Sequence, residues 1–318
     1  MGTAVTRLTA SVTIDRQAAV RTIVKRRAAV TIEGMTTIQL FAVEVAGIRP
    51  LPIPDHITSF DQLYDGLDLG VYSALRTFAH NKFLYLEHHI ERTRRSMGLL
   101  GWQDELDETR LRQGLHTACS QYPLPEARVR FDFLASAPLH LGTDSRLLIG
   151  LMPFTPPPAA LYTHGVHVGF APDLKRANPL AKTADFAQKR QAYQATGDFY
   201  EYLLLSAAGE ILEGTSTNFY GVLDGVFHTA GTGVLAGITR KIILDLAAEL
   251  HIPVSLEPIT VAQVPRLSEA ALSGSSRALL PVVQIGEAVV GNGRPGPICQ
   301  QILAAYNAFV AREVKTAI

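Results

Sequence analysis

A glycine-containing run precedes a helical pattern in the last third of the chain. Residues 229–238 read TAGTGVLAGI, and apolar side chains then recur every three or four positions from Ile238 to Leu250. The exposed amides and the positive dipole end at a helix start favour a bound phosphate, and Thr239 would add a hydroxyl. The run therefore predicts a phosphate site, with an ordinary glycine turn as the alternative.

The same run also admits a dinucleotide-binding interpretation, since Glu257 lies about 20 residues after Gly237. The glycine spacing argues against it. Gly231, Gly233 and Gly237 give G-x-G-x-x-x-G instead of the dinucleotide fingerprint, and the unit lies late in the chain. A nicotinamide-dependent oxidoreductase is therefore the less favoured class of enzyme.

A glutamate followed by small polar residues forms a second candidate site. Residues 208–220 read AGEILEGTSTNFY, with Glu213 directly before Gly214. A carboxylate in a partly apolar setting pairs well with a protonated ring nitrogen, and in a pyridine cofactor this pairing keeps the ring a good electron sink. The alternative for Glu213 is a solvent-facing carboxylate at the end of a strand.

The third candidate is Lys182, in the segment NPLAKTADFAQKRQAY, where a helical pattern begins after Pro179. Nearby cations and a positive helix end lower the pKa of a lysine, and its neutral amine is then a nucleophile toward an aldehyde. Without a further pattern, Lys182 is as much a surface lysine as Lys189.

Composition limits the class of protein. The 318 residues carry 29 basic and 29 acidic side chains and are 47% hydrophobic, which is typical of a globular protein and does not predict nucleic acid as a partner. No apolar run approaches the roughly 18 residues that cross a bilayer. Cys119 and Cys299 predict neither a disulfide framework nor a metal site, and they fit a reducing cytoplasm.

Hydrophobic periodicity predicts the elements that must position these residues. In the first half, strands are expected at residues 36–48, 69–78, 128–135 and 146–152, with helices at 86–100 and 105–120. Proline-rich residues 153–165 predict an extended connector. In the second half, strands are expected at 166–171, 202–205, 211–212, 218–223, 226–229 and near Val254, Ala270 and Val282, with helices from near Lys182 and at 238–250 and 298–311.

The length of the chain and the proline-rich connector at residues 153–165 together predict two domains in an α+β fold. Residues 1–34 are rich in Arg and Thr and precede Met35, so we expect a poorly ordered extension or an over-assigned start, with a transit-type signal as the alternative. Residues 35–152 then form a smaller N-terminal α+β domain, residues 153–165 the connector, and residues 166–318 a larger C-terminal domain.

The three candidate segments occur in the order and spacing of the class IV (fold type IV) pyridoxal-phosphate aminotransferases. That superfamily includes branched-chain and D-amino-acid aminotransferases and aminodeoxychorismate lyases. The chain resembles it in Lys182, in EGTSTNF at 213–219 and in GITR at 237–240. The resemblance extends to VYSALR at 71–76, GSS at 274–276 and PV at 281–282. It covers about residue 36 to the end of the chain.

The resemblance implies pyridoxal 5'-phosphate as cofactor, bound by a C-terminal domain with a mixed, barrel-like sheet. Lys182 resembles the lysine that holds the cofactor and later moves the substrate's α-proton, and Glu213 resembles the partner of the pyridine nitrogen. The phosphate site is implied at Arg76, Ile238, Thr239 and Ser275. The substrate-binding residues implied in the same way are Tyr72, Arg128, Arg130 and Ser276.

The chain departs from the family pattern at three places. Phe186 and Ala187 stand where branched-chain enzymes usually have a tyrosine, and Tyr72-Ser73-Ala74 replaces the family's F-E-G. Arg277 stands where the family more often has an acidic or small residue. It is interpreted either as a surface ion pair, which is slightly favoured, or as a cation for an acidic substrate.

The implied activity is transfer of an amino group from an amino acid to a 2-oxo acid, branched-chain-like, by a homodimer with its active sites at the dimer interface. A lyase of the aminodeoxychorismate type is the alternative. The motifs leave open the amino donor, the handedness of the substrate and the acceptor.

Overall fold

The computed structural model of the chain describes residues 38–64, 66–68 and 70–318. The extension expected at residues 1–34 lies outside the described residues. Helices and strands alternate irregularly along the chain, and the strands form two large sheets and one small one. The expected α+β class is confirmed.

The first sheet is built from residues before position 154 and is antiparallel between all its neighbours, in the order β2-β1-β6-β5-β3. Strand β3 therefore lies at one edge. The strands of this half are β1 (Gln39–Glu44), β2 (Gly47–Pro50), β3 (Val71–Arg76), β4 (Lys82–Phe83), β5 (Ala127–Phe133) and β6 (Leu147–Pro153). The helices are α1 (Phe60–Leu63), α2 (Leu86–Leu99), α3 (Glu108–Gln121) and a 3-10 turn at Leu139–Leu141.

Both faces of this sheet are buried. On one face, alternate residues of β5 such as Val129 and Phe131 pack against Ile90 of α2 and Leu111 of α3. The opposite face packs against α1 and its flanking loops. The period of two along a strand sends neighbouring residues to opposite faces, so β5 contributes to the core on one face and to a polar cluster on the other.

The second sheet is mixed, and its strands come from residues 166–289. They are β7 (Val166–Ala171), β8 (Glu201–Leu205), β9 (Ile211–Gly214), β10 (Asn218–Leu223), β11 (Val226–His228), β12 (Val254–Ser255), β13 (Glu269–Gly274), β14 (Ala278–Ile285) and β15 (Ala288–Val289). The helices are α4 (Ala159–His164), α5 (Ala184–Lys189), α6 (Gln191–Thr196), α7 (Ile238–Glu249), a 3-10 turn at Val261–Arg266 and α8 (Pro297–Glu313).

Strand pairing closes this sheet into a barrel. The order β10-β13-β14-β7-β8-β9 returns to its start because β9 pairs with β10 through Glu213 and Asn218. Strand β7 runs parallel to both of its neighbours, and the other contacts in the ring are antiparallel. This confirms the barrel-like mixed sheet that the resemblance implied. Helices α7 and α8 cover one face of β10.

The end of the chain returns to the first sheet's core. Strand β16 (Lys315–Thr316) pairs with β4, and Ala317 is fully buried in the cluster that includes α2 and α3. The Arg112 guanidinium donates to the Ala317 carbonyl oxygen at 3.1 Å. Residues from both ends of the chain therefore contribute to one core.

Two expectations about the elements were wrong. Residues 36–48 were expected to form one strand, but the described part is a hairpin of β1 and β2 that turns at Val45 and Ala46 and continues through Gly47 at a φ of 129°. Residues 153–165 were expected to be extended, but they contain α4, whose Leu161 is buried. Proline is compatible with a helix start, so the high proline content of this segment did not exclude the six-residue helix that follows Pro158. The division into two domains at this connector stays a prediction.

The cluster beneath the first sheet should dominate the stability of this half. Leu111 is fully buried among α2, α3 and the sheet, so Leu111→Ala is expected to lower the free energy of unfolding by about 2–5 kcal/mol. Leu99→Ala, at a side chain 43% exposed, should change it by less than about 0.5 kcal/mol. Urea unfolding followed by circular dichroism measures both. Equal effects would contradict the packing described for α3.

Candidate active site

Lys182 lies in the segment between β7 and α5, and its backbone is fixed against the edge of the first sheet. The Tyr72 amide donates to the Lys182 carbonyl oxygen at 3.1 Å, and the Ala184 amide donates to the Gly70 carbonyl oxygen at 3.0 Å. The Lys182 amide donates to Ser96 Oγ of α2 at 3.1 Å. A lysine from the second half of the chain is thus held in place by the first half.

The amine of Lys182 lies over the ring of Tyr72, with 4.5 Å between Nζ and the ring centroid. Burial lowers the pKa of Lys182 to about 8, and the charges of Arg92, Arg176 and Arg190 act in the same direction while Tyr72 opposes them. The sequence predicted this direction from neighbouring cations, but burial is the larger cause. The neutral, nucleophilic form of the amine is therefore accessible near neutral pH.

Tyr72 is itself an unusual group. Burial alone would raise its pKa, but nearby positive charges outweigh burial and lower the pKa to about 7, the charges being those of Lys182, Arg190, Arg130 and Arg176. A phenolate next to the lysine is therefore available near neutral pH.

Arg130 is engaged in a buried ion pair behind Tyr72. Its Nε and Nη2 donate to the two Asp132 carboxylate oxygens at 2.8 and 2.6 Å. The guanidinium also stacks between Tyr64 and Tyr72, 4.0 and 4.1 Å from the ring centroids. Arg130 was predicted to hold a substrate carboxylate, but here its charge is already compensated by Asp132.

The sheet register places the other predicted residues of this half on the same face. Ala74 pairs with Arg130, and Arg76 pairs with Arg128, on neighbouring strands β3 and β5. The alternation predicted for Arg128 and Arg130 is therefore correct. Arg128 lies over Phe60, 5.5 Å from the ring centroid.

Glu213 is a buried carboxylate, so the alternative of a solvent-facing strand end is wrong. Its Oε1 accepts from Arg176 Nε at 2.5 Å, and its Oε2 accepts from the Leu235 amide at 3.2 Å. Burial raises the pKa of Glu213, while Arg176 opposes the rise. Arg176 in turn stacks on Phe186, 3.8 Å from its ring centroid.

The small polar residues after Glu213 surround a second buried carboxylate, Glu201 of β8. The hydroxyls of Thr215, Ser216 and Thr217 donate to Glu201 Oε1 at 3.2, 3.0 and 3.1 Å, and the Ser216 amide donates to the same oxygen. A side chain at Gly214 would overlap the Thr217 hydroxyl oxygen, so the tight loop requires glycine there.

Arg277 completes this network. Its Nη2 lies 3.4 Å from Glu201 Oε2, its Nη1 donates to Ser216 Oγ at 2.9 Å, and its Nε donates to Tyr200 at 3.0 Å. A surface ion pair was the slightly favoured interpretation of Arg277. The ion pair with Glu201 is present, but the Arg277 side chain is only 14% exposed and so does not lie at the surface.

The segment predicted to bind phosphate lies at the start of α7. Gly237 precedes the helix, and a side chain at this position would overlap the side-chain amide oxygen of Asn218. The Asn218 side chain is held in place because its Nδ2 donates to the Leu235 carbonyl oxygen at 3.0 Å. The backbone amides of Ile238 and Thr239 follow in the first turn, at the positive end of the helix dipole.

Tyr306 of α8 links this helix start to Arg76. Burial raises the pKa of Tyr306, while the charge of Arg76 and a hydrogen bond with Thr239 oppose the rise. Arg76 stacks on Phe78 and Phe154, 4.1 and 4.3 Å from their ring centroids, and its Nη1 is 4.0 Å from Glu126. An arginine and a helix start thus converge, as an anion site requires.

Ser275 and Ser276 occupy the turn between β13 and β14, which closes through a 2.9 Å hydrogen bond from the Arg277 amide to the Gly274 carbonyl oxygen. Tyr162 donates to the Arg277 carbonyl oxygen at 2.8 Å. Burial raises the pKa of Tyr162 to about 12, and the nearby charges of Arg277 and Arg76 oppose this rise. The turn therefore lies on the same side of the molecule as Arg76.

Several residues that complete the site carried no signal in the sequence. Arg176 precedes Lys182 by six residues in a segment without periodicity, and Tyr306 lies in a helix whose pattern is mainly apolar. Arg92 and Ser96 of α2 were detectable only as polar side chains on the helix face that also carries buried Ile90.

Within the described ranges, no group of three or more His, Cys, Asp or Glu side chains could hold a metal ion. No helix in the part of the chain that the structure describes is long and apolar enough to cross a membrane.

The fold matches solved structures of branched-chain aminotransferases. A putative enzyme from Thermotoga maritima gives a TM-score of 0.70 at 24% identity, over 87% of this chain and 97% of that one. The T.th. enzyme with pyridoxamine 5'-phosphate gives 0.71 at 17% identity, over 88% and 98%. The chain therefore shares the fold of these structures.

The family model for amino-transferase class IV matches residues 70–285, about two thirds of the chain. The chain therefore belongs to the class IV aminotransferases, a family of enzymes. A probable branched-chain-amino-acid aminotransferase of Thermotoga maritima is 26% identical over 258 residues, 79% of this chain and 90% of that protein. A D-alanine aminotransferase of Staphylococcus haemolyticus is 32% identical over 120 residues, and the match spans 43% of its length.

The environment of Tyr72 can be tested directly. One tyrosine of the cofactor-free protein is expected to ionise with a midpoint near pH 7, because the positive charges of Lys182, Arg190, Arg130 and Arg176 outweigh the effect of burial on the pKa of Tyr72. Tyr72→Phe should remove that component from the tyrosinate absorbance. Tyr220→Phe, at a buried tyrosine whose pKa burial raises, should leave it in place. A titration without any neutral-pH component would contradict this arrangement of charges.

Proposed function

We propose that the protein is a pyridoxal 5'-phosphate-dependent aminotransferase that moves an amino group from an amino acid to a 2-oxo acid, with branched-chain-like substrates. The observation that carries the proposal is the placement of the Lys182 amine and the Glu213 carboxylate in one buried site. Burial raises the pKa of Glu213, and the charge of Lys182 is among those that oppose this rise, so the two groups lie within range of each other's charge.

The residues present fit the cofactor. An amine with a pKa of about 8 suits addition to an aldehyde. A carboxylate can accept about four hydrogen bonds, so Glu213 retains capacity for a ring nitrogen beside its bonds to Arg176 and Leu235. Arg76, the Ile238 and Thr239 amides, and Ser275 would hold the phosphate.

When bound, the cofactor supplies an electron sink for negative charge at the substrate's α-carbon. Lys182 Nζ then takes the α-proton and returns it, since this amine is buried, partly neutral and held over Tyr72. Glu213 would accept a hydrogen bond from the ring nitrogen and so favour its protonated form. The network of Glu201 and Arg277 holds the loop that follows Glu213, which fixes the carboxylate's direction.

For substrate binding we propose the four residues Tyr72, Arg128, Arg130 and Ser276. Arg130 is paired with Asp132, so its contribution is to fix the Tyr72 ring rather than to supply an unpaired charge. The Tyr72 hydroxyl and the Lys182 amine then face the substrate together.

We further propose that the enzyme is a homodimer whose contacts lie mainly in the first half of the chain. The site draws residues from both halves, and a cleft between them needs a neighbouring subunit to exclude water. The partners are small amino acids and 2-oxo acids. Cys119 and Cys299 are unpaired, buried thiols, which supports a reducing cytoplasm as the location.

Cofactor attachment and turnover test the function together. Lys182→Ala is expected to abolish both, while Lys189→Ala at an exposed lysine should preserve both. Borohydride reduction makes the cofactor link permanent, and peptide mapping should find it on Lys182. A panel of L- and D-amino acids with 2-oxoglutarate and pyruvate identifies the substrates. Label on Lys175 or Lys189, or release of pyruvate without amino transfer, would contradict the proposal.

Arg76 is expected to govern retention of the cofactor. A charge-assisted hydrogen bond to a phosphate contributes about 1.5–3 kcal/mol, so Arg76→Ala should weaken cofactor binding by about one to two orders of magnitude. Arg312→Ala removes an exposed arginine of α8 and should have no such effect. Equilibrium dialysis measures the affinity and circular dichroism checks the fold. Unchanged affinity in Arg76→Ala would remove this residue from the site.

A further inference from the structure

The turn between β13 and β14 contains a strained residue. Gly274, the last residue of β13, pairs with Ala278, the first residue of β14, and the Arg277 amide donates to the Gly274 carbonyl oxygen at 2.9 Å. Ala278 has a φ of 54°, in the left-handed region that a residue with a Cβ rarely adopts. Glycine adopts this conformation freely, whereas alanine keeps it only where the surrounding contacts impose it.

The residue before Ala278, Arg277, makes contacts through both its side chain and its main chain. Its Nη1 donates to Ser216 Oγ at 2.9 Å, and its Nε donates to the Tyr200 hydroxyl oxygen at 3.0 Å. Its carbonyl oxygen accepts from the Tyr162 hydroxyl at 2.8 Å. The three partners lie in the loop before β10, next to the start of β8 and in α4, so the turn is held from three separate elements.

The turn and the loop before β10 lie side by side at one end of the barrel. Asn218, at the start of β10, pairs with Ser273 near the end of β13. A Cβ added at Gly274 would lie 3.8 Å from both the Ser216 carbonyl oxygen and Thr217 Cγ2. The two segments are therefore close neighbours, and the guanidinium forms a hydrogen bond between them.

The charge of Arg277 is compensated by Glu201, whose Oε2 lies 3.4 Å from Arg277 Nη2. Each of the three guanidinium nitrogens therefore has a protein partner. Both side chains are largely buried, at 14% and 2% exposed, and a buried carboxylate that loses its arginine is costly. The geometry argues against Arg277 as the cation for an acidic substrate.

We propose that Arg277 is a positioning residue that holds the β13–β14 turn in its strained conformation, and that its guanidinium does not bind the substrate. The turn carries Ser275 and Ser276, the residues proposed to bind the phosphate and the substrate. The contacts of Arg277 would hold both serines at a fixed distance from the loop that follows Glu213. The inference rests on the proposed function only for what these serines bind.

The strain can be tested without any ligand, in the full-length, cofactor-free protein. Ala278→Gly should raise the urea midpoint of unfolding, because glycine adopts the left-handed conformation freely. Ala288→Gly is the matched control. Ala288 lies in the regular strand β15, so glycine there should lower the midpoint. A midpoint that falls or stays the same in Ala278→Gly would contradict the strain.

Hydrogen exchange in the same protein measures the contacts of Arg277. Mass spectrometry follows the peptide that spans the turn, and Arg277→Met should speed its exchange about tenfold. Adding Ala278→Gly to Arg277→Met should slow the exchange again, because a turn without strain does not depend on the guanidinium. Arg294→Met, at an exposed arginine after β15, should leave exchange in the turn unchanged.

Ligand binding tests the use of the turn. Affinity for pyridoxal 5'-phosphate, measured by equilibrium dialysis, should fall in Arg277→Met and recover when Ala278→Gly is added. In the holoenzyme, Arg277→Met should raise the KM for glutamate and the KM for leucine by similar factors. A rise confined to glutamate would overturn the inference and assign Arg277 as a cation for an acidic substrate.

Unchanged exchange in Arg277→Met would also overturn the inference, and so would exchange that does not slow when the glycine is added. If Arg277→Met does not fold, Tyr200→Phe decides, since it removes one contact of the guanidinium and should also speed exchange in the turn. Unfolding and exchange need no cofactor. A protein that shows these effects but binds no pyridoxal 5'-phosphate supports this inference while contradicting the proposed function.

Discussion

The site depends on a short backbone contact between the two halves of the chain. Strand β3 is an edge strand, and an edge leaves amides and carbonyls that need partners. The segment around Lys182 supplies them, through Tyr72 to Lys182 and Ala184 to Gly70. This contact fixes the lysine backbone on the strand that carries Tyr72 and Arg76, so the positions of these three residues depend on one another.

Buried ion pairs fix other side chains of the candidate site. Three carboxylates are each paired with an arginine, Asp132 with Arg130, Glu213 with Arg176 and Glu201 with Arg277. Such pairs add little net stability, but breaking one costs about 3–5 kcal/mol because a buried charge is left alone. Their effect here is geometric, since each pair fixes the position of a side chain or loop in the candidate site.

The sequence was informative where chemistry or periodicity is local. The bounds of β7 and β10 were predicted as observed, and so was the start of α7 after its glycine run. Closure of the barrel depends on the pairing of Glu213 with Asn218, and the ion pair of Arg176 with Glu213 joins residues 37 positions apart. No periodic pattern encodes such contacts.

The charge around the amine changes over a narrow range of pH near neutrality. Below a pH of about 7 Tyr72 is neutral and Lys182 is charged. As pH rises through 7 the phenol loses its proton, and as it rises through 8 the amine does the same. The net positive charge of the cofactor-free site therefore falls by two over a narrow range. Anionic ligands compensate the remaining cations, Arg92 and Arg190 among them, so ligand binding and stability of this region are thermodynamically linked.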